Sequence, residues 1–108
     1  MVYEERIYKI LPGRMPDIKK RFATVTMRLF ERHGIEVVGF WQPVFGPTTN
    51  ELCYICAFSD LNARDRAWQS FISDPEWIAA KAASEEHGPL VADISVRILK
   101  PTEFSPLQ

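Results

Sequence analysis

Apolar residues in this chain change their period in a fixed order, and that order admits few folds. Val2–Leu11 reads as a strand and is stopped by Pro12-Gly13. Ile18, Phe22, Val25 and Leu29 then recur at spacings of four, three and four, which makes one apolar stripe along a helix. Pro16 suits the first helical position, Asp17 complements the N-terminal dipole, and Gly34 supplies a left-handed stop. Two strands follow, Ile35–Val44 and Glu51–Phe58, on either side of the turn sequence "GPTTN" at 46–50. Asp60 or Asn62 can cap a second helix carrying Ala67, Trp68, Phe71 and Ile72. "DPEW" (Asp74–Trp77) starts a further helical run that reaches Glu86 and is closed by Gly88. A last strand covers Leu90–Lys100, and 101–108 form an extended tail. The order βαββα(α)β predicts an α+β fold of ferredoxin-like type, an antiparallel sheet with helices on one face.

The length of 108 residues fits one domain, large enough to bury a core without disulfides. A formal net charge of −1 argues against nucleic acid as a partner, because phosphate backbones call for a basic stripe. No run of 18 apolar residues is present, so no membrane span is expected. The N-terminal segment is charged where a signal peptide would be apolar, which makes a cytoplasmic address the expectation. Cys53 and Cys56 lie within "ELCYICAF", a strand pattern. Three residues along a strand span about 10 Å and reverse the side-chain face, so two reduced structural cysteines are expected rather than a disulfide.

Strand parity separates two faces. Ile94, Val96 and Ile98, with Cys53, Ile55 and Ala57, are the sets expected to meet the helices. The uncovered face is then expected to show Glu4, Arg6, Tyr8, Tyr54, Phe58, Arg97 and Leu99. Strand two adds either Val38 and Phe40 or Gly39 and Trp41. Such a face is too aromatic to be left in water, and a homodimer through it is the expected cover. Glu4 and Arg6, two apart on one face, can pair with each other or with Arg97.

"YEERIYKILPGR" (Tyr3–Arg14), "ERHGIEVVGFW" (Glu31–Trp41), "DPEW" and "RILKPTEFSP" (Arg97–Pro106) together resemble the NIPSNAP family, in order and over nearly the whole chain. The resemblance implies a dimeric α/β barrel, in which two ferredoxin-like sheets close around a shared interior. It maps an E-x-R-x-Y alternation onto Glu4, Arg6 and Tyr8, and implies that Glu4 and Arg6 point into that interior. Tyr54 stands where the family often has His, and Glu5 where an apolar residue is usual.

The site candidates are Glu4, Arg6, Tyr8, Trp41, Tyr54 and Arg97. Arg6 could clamp an anion, Tyr8 or Tyr54 donate a hydrogen bond, and Glu4 act as acid/base or orient Arg6. The competing reading makes the charged trio a structural network, since buried charges need partners. His33 and His87 each precede a helix-stopping glycine, which predicts C-terminal capping rather than ligation. Trp68, Phe71 and Trp77 read as helix-to-sheet packing, and Lys19-Lys20-Arg21 as a solvated helix face. The Pro-rich tail around Phe104 either latches a partner subunit or straps its own helices. No metal-ligand spacing occurs, and no cofactor is expected. The functional expectation is a small-molecule binding protein, or a cofactor-independent enzyme, using a cavity beside the sheet. The alternatives are a non-catalytic protein–protein interaction module and, third, a single-stranded RNA binder. Arg6 exposed in an open cavity favours the first; Arg6 buried with every donor paired favours the second.

Overall fold

The computed structural model describes all residues, Met1–Gln108. Four antiparallel strands, β1 (Val2–Ile10), β2 (Glu36–Trp41), β3 (Glu51–Phe58) and β4 (Val91–Leu99), form one sheet in the order β2-β3-β1-β4. Helices α1 (Met15–Arg21), α2 (Met27–Arg32), α3 (Leu61–Ile72) and α4 (Pro75–Ser84) pack on one side of it. This is the ferredoxin-like arrangement expected from the period pattern. No helix is long and apolar enough to cross a membrane.

The local signals act as their chemistry requires. Asp60, not Asn62, caps α3 by accepting the Ala63 N–H at 2.7 Å, and Asp74 caps α4 by accepting that of Glu76 at 2.8 Å. Gly34 ends α2 at φ +76°, a conformation that a side chain would strain. His33 occupies the C-cap, but its ring does not bond the last carbonyls. Nδ1 meets Ser70 Oγ at 2.5 Å and Nε2 meets Asp74 Oδ2 at 2.6 Å, so it ties α2 to the α3–α4 junction. His87 is exposed beside Glu86.

One feature of the first helix is absent from the stripe pattern. Between α1 and α2 the backbone widens into a π-helical turn, Phe22–Thr26, which inserts one extra residue. Thr26 Oγ1 donates to the Arg21 carbonyl at 3.3 Å across the turn. The insertion rotates Arg21, Phe22 and Thr26 inward together, and all three are buried. Arg21, expected on a solvated face, is only 7% exposed, whereas Lys19 and Lys20 are exposed as anticipated.

The two sheet faces are not distributed as parity alone suggested. Glu4, Arg6 and Tyr8 stand opposite Cys56, Tyr54 and Leu52 on β3 and opposite Ile98, Val96 and Ile94 on β4. All of these, with Phe58, lie on the helix side. The side assigned to β4 was therefore correct, although Ile94, Val96 and Ile98 stay 40–44% exposed instead of meeting the helices, and the sides assigned to β1 and β3 were reversed. The reason is that the helix layer is itself aromatic and polar: Phe22 and Phe30 pack around Tyr54, Phe71 packs on Phe30, and α3 supplies partners for Glu4. Parity fixes which residues share a face on one strand, and only inter-strand register joins the faces of different strands.

The open face carries Tyr3, Glu5, Ile7 and Lys9, then Cys53, Ile55 and Ala57, then Ser95, Arg97 and Leu99. Cys53 and Cys56 point to opposite faces, and both are free thiols. Strand β2 contains a bulge between Val37 and Gly39 that breaks its alternation. Phe40 consequently faces the helices, and Gly39 and Trp41 the open side. A Cβ at Gly39 would meet the Trp41 ring at 2.9 Å, so the glycine makes room for the indole. The tail lies on this open face rather than over the helices. Tyr3 Oη donates to the Gln108 carbonyl at 2.6 Å, and Leu107 shares a groove with Val38, Ile55 and Leu99.

Candidate functional site

A cavity of about 540 Å³ lies between the sheet and the helices and opens to solvent. Its floor is Arg6 and Tyr8 of β1, and one side is Val91 to Ile94 of β4. The π-helical turn and its neighbours supply Arg21, Phe22, Thr26 and Phe30. Helix α3 supplies Trp68, Phe71 and Ile72, and α4 supplies Trp77, Lys81 and Glu85.

Beneath the floor, Glu4 is fully buried and accepts three hydrogen bonds. They come from Arg6 Nη1 at 2.6 Å, Arg64 Nε at 2.6 Å and Trp68 Nε1 at 3.0 Å. Burial pushes its carboxyl up, but the hydrogen bonds from Arg64 and Arg6 together outweigh it, and the group ends below the usual carboxylate range. Glu4 is therefore an ionised acceptor with no proton to give at neutral pH, and it does not line the cavity. Of its two sequence-derived roles, orienting Arg6 is the one the geometry supports.

Arg6 is held from two sides, by Glu4 and by the Trp68 ring, whose centroid is 4.4 Å from the guanidinium carbon. Burial draws its pKa down, while Tyr54, Tyr8 and Glu4 draw it up, and the balance is upward. Arg21 repeats the motif on the helical side. Its guanidinium lies over the Trp77 ring at 5.1 Å, Nη1 donates to Ser84 Oγ at 3.1 Å, and Glu85 is 3.6 Å away. Burial outweighs these partners and leaves its pKa lowered.

Tyr8 Oη and Tyr54 Oη are 2.7 Å apart, and Tyr8 alone of the pair lines the cavity. Tyr54 is completely buried, with a stacked Phe40 ring at 4.7 Å. This asymmetry makes a prediction. Tyr8→Phe strands the Tyr54 hydroxyl without a partner or water, and is expected to cost about 1–3 kcal/mol in urea unfolding. Tyr54→Phe leaves Tyr8 facing the cavity, and should cost about 1 kcal/mol or less. Equal losses would show that both hydroxyls depend on the bond alike.

Four of the six sequence candidates, Glu4, Arg6, Tyr8 and Tyr54, are thus brought together at or under the cavity. Arg97 and Trp41 are not: both lie on the open face, where Arg97 pairs with Glu5 at 2.8 Å instead of with Glu4 or Arg6. Sequence reasoning missed Arg21, Trp68 and Trp77 as cavity residues. A signal for Arg21 existed, since it stands three residues after Ile18 and so at the edge of the apolar stripe. The extra residue of the π turn had no comparable signature.

The NIPSNAP family model matches residues 3–106 of the chain. Protein NipSnap of Drosophila melanogaster is 31% identical over 111 residues, covering 99% of this chain, which spans only 37% of the fly protein's length. Among solved structures, Atu4242 of Agrobacterium tumefaciens, a NIPSNAP family protein of unknown function, is 30% identical with a TM-score of 0.88, and the match covers 100% of both chains. A NIPSNAP-like domain protein of Burkholderia xenovorans is 25% identical at a TM-score of 0.85, covering 97% of this chain and 88% of that one. The chain belongs to the NIPSNAP family.

Proposed function

We propose that the protein binds a small organic acid in the cavity between sheet and helices, and transforms it, where it does so, with its own side chains rather than a cofactor. The observation that carries this reading is the state of Arg6. It reaches an open cavity, yet only Nη1 has a protein acceptor, and Nη2 makes no hydrogen bond to the protein. That leaves a guanidinium donor for a bound anion. The polar groups in reach suit recognition of an anion, with Arg6 as clamp and the Tyr8 hydroxyl as a further donor.

A thermal-shift screen against small acids, quinones, phenols and haem tests the proposal. A true ligand at a hundredfold excess over its Kd is expected to stabilise the fold by about 2.7 kcal/mol. The shift should vanish in Arg6→Ala, which leaves Glu4 its bonds from Arg64 and Trp68 and so should still fold. No stabilising ligand for the wild type, or an undiminished shift in the folded variant, would count against the site.

We also propose that the open face, with Ile7 and Ile55 on its two central strands, packs on a second copy. Those residues and the exposed Trp41 on the same face support this reading. Sedimentation velocity should give a dimer for the wild type and a monomer for Ile55→Lys. A wild type that sediments as a monomer at tens of micromolar sinks the proposal. The alternative of a non-catalytic interaction module rests on other exposed apolar groups, Phe104 in the tail and Val96 and Ile98 at the edge of the sheet. It predicts no ligand-dependent shift.

A further inference from the structure

Two arginines in the cavity share an arrangement that narrows the ligand class. Each guanidinium lies over a tryptophan, Arg6 over Trp68 and Arg21 over Trp77. Each spends Nη1 on the protein, to Glu4 Oε2 and to Ser84 Oγ respectively. In each, Nε is a buried donor without an acceptor, and Nη2 makes no hydrogen bond to the protein. Nε is closed off from the cavity by its burial, which leaves Nη2 as the donor each guanidinium can offer to a carboxylate oxygen. The same donor is left unused on both arginines that line this one cavity.

Charge and wall chemistry point the same way. Three cationic side chains, Arg6, Arg21 and Lys81, line the cavity against two carboxylates, Glu85 and Asp93. Glu85 is already divided between Arg21 and Lys81, at 3.6 and 3.0 Å. The lowered pKa of Arg21 agrees that the protein alone compensates its charge poorly. The rest of the wall is mainly aromatic, with Phe22, Phe30, Trp68, Phe71 and Trp77. Arg21, Phe22 and Thr26 reach the cavity through the π turn, a distortion that recurs at functional sites.

We infer that the ligand is an aromatic monocarboxylate, its carboxylate taken by the unpaired Nη2 donors of Arg6 and Arg21 and its ring packed on the aromatic wall. This rests on the small-acid reading above and specifies its class. The carboxylate satisfies donors that the fold leaves unpaired, and the flat ring packs against the aromatic side chains of the wall.

Isothermal titration of the full chain with 2-naphthoate, 2-naphthamide and decanoate tests the inference, run beside the acid, quinone and phenol screen. Naphthoate should bind, and naphthamide, equal in shape but uncharged, about 30-fold more weakly. Arg21→Gln should weaken naphthoate at least about tenfold and leave the amide unchanged. Arg21→Lys keeps the charge but not the planar guanidinium held over Trp77 with a spare Nη2, so it should lose affinity as well. Unfolding curves confirm that each variant is folded. If naphthamide matches naphthoate, or decanoate matches it, the aromatic-acid class is wrong while a binding cavity stands. If no compound of the whole screen binds, the cavity reading itself falls, and this inference with it.

Discussion

Glu4→Ala is expected to cost the fold about 3–5 kcal/mol, because removing one member of a buried ion pair leaves the other charge uncompensated. Three donors lose their acceptor at once. They do not suffer equally. Arg64 is 28% exposed and already reaches Asp65, so it can turn to the surface. Arg6 is 15% exposed beneath Trp68, and the Trp68 N–H has no other partner. Most of the loss therefore falls on these two. Glu4→Gln keeps an acceptor oxygen but not the charge, and should cost less. Urea unfolding at pH 7 measures both, and a loss below about 1 kcal/mol for Glu4→Ala would mean that the network does not hold the sheet to α3.

The same residue sets part of the acid response. The folded carboxyl is held below its ordinary value of 4.5, so the unfolded chain takes up the proton first as pH falls. The stability that Glu4 contributes is complete above that ordinary value and drains away below it. Asp74, lowered to about 2 by His33 and then by the Glu76 N–H, adds a second loss in the same direction. The difference between the wild-type and Glu4→Ala curves isolates the Glu4 part. It should be flat above about pH 5 and shrink in more acid solution.

The elements were legible in the sequence because each is written locally. Pro, Gly and Asp at helix ends act over one or two residues, and the stripe from Ile18 to Leu29 needs no tertiary information. The joining of faces was not legible. Val96 stands beside Arg6 because of a register that no single strand encodes, and an apolar stripe on β4 looked like the partner of the compact β3 residues instead. Glu4 looked too charged to lie under helices, which is true of an isolated carboxylate. It is false of one that receives a guanidinium and an indole from a helix sixty residues away in sequence. The bulge at Val38 and the π turn each add one residue to a regular element, and each re-aimed side chains that strict periodicity had placed elsewhere.

Arg21→Met is expected to act with the opposite sign to Glu4→Ala, although both side chains belong to the same site. Arg21 is buried with its charge poorly compensated, and its carboxylate neighbour Glu85 retains Lys81 at 3.0 Å when the arginine is gone. Methionine fills a similar volume beside Phe22 and Trp77 without a charge to desolvate. The variant should match the wild type or exceed it by about 1–2 kcal/mol in urea, as replacement of a buried ionic group by a packed apolar one often does. Binding of 2-naphthoate should fall at least about tenfold in the same protein. A residue that weakens the fold while serving a ligand is kept for the ligand, and gain of stability with loss of binding is the signature of that trade. If Arg21→Met instead unfolds more than about 1 kcal/mol more easily, Arg21 is a tie between α1 and α4, and the cavity has one anchor, Arg6, rather than two.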